Sequence, residues 1–156
     1  MGSGYITQRK IMEKDYSAFK ACVDASLTEV TAEMLDGNTE IGNYAFSNCS
    51  SLTSVTIPSS VTSIKSNAFR YCSLLPSIVI PSSVTSIGAD GVVFYYCTSL
   101  TSVTVEATTP PTLGNNVFFN TSSNLVIYVP SGSVEAYKTA TNWSTYASRI
   151  QAIPST

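Results

Sequence analysis

Apolar positions recur along this chain in one long order instead of the short rhythms of isolated helices or strands. From Leu52 the order is Leu52-x-x-Val55-x-Ile57-Pro58-x-x-Val61-x-x-Ile64-x-x-x-Ala68-Phe69-x-x-Cys72, and Leu75 to Cys97 repeats it with two extra residues near Asp90-Gly91. The heptad Pro58-Ser59-Ser60-Val61-Thr62-Ser63-Ile64 returns unchanged 23 residues later as Pro81-Ser82-Ser83-Val84-Thr85-Ser86-Ile87. A fixed period of this length marks one short supersecondary unit stacked on copies of itself. A third copy opens at Ser99-Leu100-Thr101-Ser102-Val103-Thr104, identical to Ser51 through Thr56. It departs at Ala107-Thr108-Thr109-Pro110-Pro111 and returns at Val117-Phe118-Phe119.

Each unit predicts three pieces. The Val-x-Ile alternation bounded by Pro is a short strand with one face inward, anchored at Val30, Val55, Ile78, Val103 and Ile127. Val61-x-x-Ile64 is a second brief extended stretch. The Ala-Phe-x-x-Cys segment places Phe and Cys on one side of a helical turn or short 3₁₀ piece. None of these buries its apolar side alone, so the coils must stack into a solenoid of mainly short parallel strands and short helical turns.

A stack has two ends to cover. Met12, Tyr16, Phe19 and Val23 form an amphipathic helical stripe, which predicts an amino-terminal capping helix over residues 12–26. Residues 27–130 hold the repeats, and residues 131–156 form a helical carboxy-terminal cap carrying Val134, Ala136, Tyr137, Ala140, Trp143, Tyr146 and Ile150. The expectation is one domain over residues 1–156, with residues 1–11, including Gly2-Ser3-Gly4, a disordered or tag-derived start. The repeat consensus decays toward both ends. Ala32 and Glu33 replace the strand Ile and the Pro of the first unit, Glu106 replaces the Pro of the third full copy, and Ser122 replaces the Cys after Phe119.

Two columns follow from the period. Phe46, Phe69, Phe94 and Phe119 are expected as a core column, bordered at the rim by Tyr71, Tyr95, Tyr96 and Phe118. Tyr44 lies over the neighbouring coil or on the surface. Cys22, Cys49, Cys72 and Cys97 each follow a Phe by three residues, so all four occupy one repeat position. The reading is a column of small buried free thiols. Disulfides between adjacent coils are the alternative, disfavoured because bridging needs converging Cβ vectors whereas stacked equivalents point in parallel.

Composition narrows the chemistry. The chain has no His, which removes the commonest general base and the commonest metal ligand together. Its 156 residues carry no Gly-rich phosphate loop, nucleophile elbow or paired carboxylates at useful spacing, and Asp90-Gly91 lacks the other acidic positions of a calcium loop. The expectation is no enzyme, no cofactor and no metal. Net charge is −2 without a basic cluster, which argues against nucleic acid or an anionic membrane as partner. No apolar run reaches the roughly 18 to 20 residues that span a bilayer, and the amino terminus lacks the charged-then-apolar pattern of a secretory signal.

The string from Leu52 to Cys72 closely resembles the bacterial leucine-rich repeat of the BspA type, and the resemblance covers roughly residues 18 to 153. Ile127-Tyr128-Val129-Pro130, Val134-Glu135-Ala136-Tyr137-Lys138 and Trp143-Ser144 look like the closing unit of such proteins from gut Bacteroidetes. Thr109-Pro110-Pro111-Thr112-Leu113 looks like their last-but-one coil. The resemblance implies a leucine-rich-repeat-like right-handed coil in a cell-surface or secreted, extracellular interaction protein. Adhesion to host proteins or other cells is implied for some members.

If the anchors face inward, strand alternation turns Glu29, Thr31, Ser54, Thr56, Ser77, Val79, Ser102, Thr104, Val126 and Tyr128 outward as the candidate interaction face. Val79, Val126 and Tyr128 are its apolar exceptions. The function expected is a non-enzymatic cell-surface or secreted protein-interaction or adhesion module whose partner is a protein or cell-surface ligand, bound weakly or multivalently. The alternative is a structural, display or spacer module, for example phage-borne, without strong binding of its own.

Overall fold

A computed structural model of the chain describes residues 27–89 and 91–155. Its strands are β1 (Glu29–Val30), β2 (Glu40–Ile41), β3 (Ser54–Val55), β4 (Ser63–Ile64), β5 (Ser77–Ile80), β6 (Ser86–Ile87), β7 (Ser102–Val105), β8 (Thr112–Leu113), β9 (Val126–Val129) and β10 (Ile150–Ala152). Every pairing is parallel. One face of the stack holds the pair β1-β3 and the sheet β10-β9-β7-β5, and a second sheet runs β2-β4-β6-β8. The alternating anchors set the register, with Val30 opposite Val55 and Ile78 opposite Val103 opposite Ile127. These side chains are buried apart from Val55, which is half-buried. The chain is therefore a repeat coil whose second extended stretch, at Val61-x-x-Ile64 and its equivalents, forms a sheet of its own.

The Ala-Phe-x-x-Cys segments are turns, not the short helical pieces expected. Tyr44 and Asn48 flank Phe46 with left-handed backbone, and Asn67 and Tyr71 do the same around Phe69. A residue at φ near +60 breaks any helical run. The benefit is a third ladder between coils: Phe46 N–H donates to the Ala68 carbonyl at 2.7 Å, Phe69 N–H to Val93 at 3.1 Å, and Phe94 N–H to Val117 at 2.9 Å. Asn tolerates this backbone readily, whereas Tyr44, Tyr71 and Tyr96 each carry strain on the order of 1–3 kcal/mol. Their own N–H groups bond Ser66, Tyr95 and Phe119 of the next coil, which holds them there.

Inside, the rings of Phe46, Phe69, Phe94 and Phe118 stack at 5.5, 5.6 and 5.6 Å between centroids. The fourth ring is thus Phe118, 3% exposed, and not Phe119, which is 48% exposed. The reason is backbone register. Left-handed Asn116 and Asn120 bracket Phe118 as the equivalent residues bracket Phe46 and Phe69. Thr121, rather than Ser122, then takes the cysteine position, and its Oγ1 donates to the Phe118 carbonyl at 3.0 Å.

Cys49, Cys72 and Cys97 are all fully buried in one column. Cys72 and Cys97 are free, and their thiols donate to the carbonyls of Phe46 (3.2 Å) and Phe69 (3.0 Å) in the preceding coil. Cys49 is disulfide-bonded, which corrects the expectation of free thiols throughout. Stacked coils sit about 4.8 Å apart, inside the roughly 4.4–6.8 Å Cα range of a disulfide, so parallel side-chain vectors do not forbid a bridge. Cys22, the start at residues 1–11 and the amino-terminal helix expected over 12–26 lie outside the described residues.

The carboxy-terminal stretch is only partly helical. A 3₁₀ turn (Ser131–Ser133) leads into helix α1 (Val134–Thr139), and a second 3₁₀ segment (Trp143–Arg149) leads into β10. The chain thus returns to the first sheet where a helical cap was expected throughout, because Ile150 continues the anchor row opposite Ile127. Trp143 and Tyr137 are fully buried, their rings edge to face at 5.0 Å, and Trp143 also meets Phe118 at the end of the ring column.

Candidate functional site

The sheet face is built by alternation: each anchor that turns inward leaves its neighbours outside. All ten residues expected there are exposed or half-buried. They fall into two groups. Glu29 lies opposite Ser54 on the β1-β3 pair, with Thr31 and Thr56 just beyond the strand ends. On the four-stranded sheet, Ser77, Ser102 and Val126 form one cross-strand row and Val79, Thr104 and Tyr128 a second.

The second row extends to Gln151 on β10, a position the sequence reading missed. Its signal was the alternation Ile150-Gln151-Ala152 at the expected distance beyond the closing helix. Val79 is 49% exposed among hydroxyl side chains, while Val126 and Tyr128 are half-buried. Several hydroxyls near this face already serve the stack: Thr53 Oγ1 donates to the Thr28 carbonyl and Thr101 Oγ1 to the Pro76 carbonyl, at 3.2 and 3.3 Å. Thr31 Oγ1 accepts from the Met34 N–H at 3.3 Å. Glu29 is the single ionisable residue of the ten apart from the Tyr128 phenol.

A second outward feature arises on the turn side. The shift that buries Phe118 sends Phe119 out, where it stacks on Tyr95 at 5.6 Å. Tyr95 meets Tyr96 edge to face, Tyr96 stacks on Tyr71 at 5.2 Å, and the Arg70 guanidinium lies 4.8 Å over the Tyr71 ring. Tyr71, Tyr95 and Tyr96 were placed at the rim by the sequence, and the structure adds Phe119 in place of Phe118.

Among the described residues no group of three or more Cys, Asp or Glu is placed to hold a metal ion. The Cys72 thiol is pushed well above its ordinary value, first by the neighbouring Cys97 thiol and then by burial, which suits a packing role and not a nucleophile. Among the described residues no helix is long and apolar enough to cross a membrane. What the geometry offers is contact area.

A family model described as BspA type Leucine rich repeat region matches residues 12–145 in six copies. No curated protein matches the chain.

Proposed function

The chain belongs to the BspA-type leucine-rich repeat family, and from that premise we propose that it is a non-enzymatic interaction module of a cell surface or of the extracellular space. The family supports a protein-interaction role in general terms and is generally a non-catalytic repeat module. The finer reading, adhesion through the sheet face, rests on one observation: Val79 stands half-exposed in a row otherwise made of Thr104, Tyr128 and Gln151. A rigid parallel sheet presents that row without an ordering cost at binding.

Area sets the strength. Four strands about 4.8 Å apart and four residues long give about 190 Å², roughly a quarter of the 800 Å² each partner contributes to a standard interface. Useful affinity then comes from several copies acting together. The test displays the module at high density on beads and counts attachment to epithelial cell layers. Val79→Ser with Tyr128→Ser is expected to abolish attachment while far-UV dichroism is unchanged. Attachment that survives this change at wild-type level would sink the sheet-face reading. The small area favours a second reading, a structural or display spacer, in which neither wild type nor variant attaches.

A further inference from the structure

Between the first and second sheets, the bend of one coil parts from the bend of the next. The link from β5 to β6 is 81–85, and the link from β7 to β8 is one residue longer, 106–111, and holds Pro110 and Pro111. At its two ends the longer bend is stitched to the shorter: Glu106 N–H donates to the Ile80 carbonyl and Thr112 N–H to the Thr85 carbonyl, both at 3.0 Å. Among the described residues nothing between those stitches donates across. One coil earlier the bends are tied by Ser83 Oγ on the Val61 carbonyl at 2.7 Å. Thr108 and Thr109, the counterparts of Ser83 counted from the two ends of the bend, make no such tie, and Pro110 and Pro111 beside them have no N–H to give.

The result is a groove of about 410 Å³. Its polar side chains are hydroxyls alone, from Ser82, Thr85, Thr108, Thr109 and Thr112, of which Thr85 already donates to the Thr62 carbonyl at 3.3 Å, and its apolar side chains are Val84, Ala107, Pro110 and Pro111. No ionisable group is present. The longer bend is held from the side of the carboxy-terminal segment: Tyr137 Oη donates to the Ala107 carbonyl at 2.5 Å, Ser133 Oγ to Thr108 at 2.7 Å, and Trp143 Nε1 to Pro111 at 2.8 Å. Two of these donors, Tyr137 and Trp143, are fully buried, so the wall is fixed before any ligand arrives.

We propose that this groove binds a neutral saccharide. Its volume lies in the small-ligand range of about 300–1,000 Å³. Hydroxyl groups that both donate and accept match a ligand that is itself a ring of hydroxyls, and the apolar Pro110 and Pro111 match its C–H surface. A charged ligand meets no countercharge. An extended peptide finds no backbone ladder, because three carbonyls of the bend are already bonded and two of its residues lack an N–H. This site is separate from the Val79 row, so the two readings stand or fall independently.

The experiment titrates the ¹⁵N-labelled full chain with cellobiose, lactose, maltotriose and diacetylchitobiose to tens of millimolar, following amide shifts. At least one sugar is expected to give saturable shifts confined to residues 82–85, 107–109 and 112. Thr109→Val with Thr112→Val, which keeps side-chain shape, weakens that binding at least about tenfold, and Thr109→Trp, which fills the groove, abolishes it. Val79→Ser with Tyr128→Ser leaves it unchanged. Absence of saturable shifts with all four sugars, shifts centred elsewhere, or equal affinity in both groove variants overturns the proposal. So does a neutral Ser/Thr/Pro peptide that shifts these amides when no sugar does.

Discussion

The regular coils from Leu52 to Cys97 and the closing stretch from Leu100 to Ser155 are held together by different means. In the regular coils the ladder of the second sheet and the ladder between turns, with the Phe and Cys columns, share the load across equivalent contacts, although β3 and β5 of the first face do not pair. In the closing stretch the period fails at Ala107-Thr108-Thr109-Pro110-Pro111, and individual side chains take over. Ser133, Tyr137, Asn142 and Trp143 bond the carbonyls of Thr108, Ala107, Leu113 and Pro111. A repeat spreads its stability over neighbours, while its end concentrates stability in a few residues.

That contrast is broken most forcefully by Trp143→Ala, which removes a fully buried ring and leaves the Pro111 carbonyl unpaired. Loss of the ring alone costs about 3–5 kcal/mol. Chemical denaturation should place this variant below Phe69→Ala, which empties a smaller volume and orphans no polar group. Tyr137→Phe comes next, at about 1–3 kcal/mol, because the buried Ala107 carbonyl loses its donor.

The same phenol gives a pH signature. Burial raises the Tyr137 pKa above its ordinary value near 10, so the folded state keeps the proton that the unfolded chain releases. Its contribution is complete below pH 10 and is lost as pH rises beyond it. Tyr137→Phe should flatten the alkaline fall in stability; an unchanged fall would show that other groups cause it.

Smaller effects belong to the regular coils. Cys97→Ala should cost about 1 kcal/mol, since its thiol fills a small core position and bonds one carbonyl. In the wild type, alkylation without reductant should label Cys72 and Cys97 only after unfolding, and Cys49 not at all. Labelling of Cys49 would refute its disulfide. Lys65→Ala, at a 3.9 Å surface pair with Glu40, should change stability by less than about 0.5 kcal/mol.

The sequence made the period, the inward anchors and the outward partners Val79, Thr104 and Tyr128 legible, because alternation and repeat distance act on every coil alike. It did not decide between Phe118 and Phe119, since adjacent identical residues satisfy the same spacing. Asn116 and Asn120, two residues to either side of Phe118, were the unused clue, for Asn67 stands in the same place before Phe69. The helical-turn expectation failed because tyrosines at 44, 71 and 96 are poor signals for left-handed backbone. The groove was illegible for a different reason: it arises from a tie that is not made, and an unmade bond shows only when two coils are placed side by side.

Amide hydrogen exchange in Trp143→Phe tests most directly whether the closing stretch is pinned by side chains. The substitution keeps an aromatic ring and deletes the N–H that bonds Pro111. Protection of the Glu106 and Thr112 amides, which bond Ile80 and Thr85 of the preceding coil, should fall markedly while that of Thr62 and Phe69 in the regular coils stays as in the wild type. Equal loss at all four amides, or no loss at any, would contradict it.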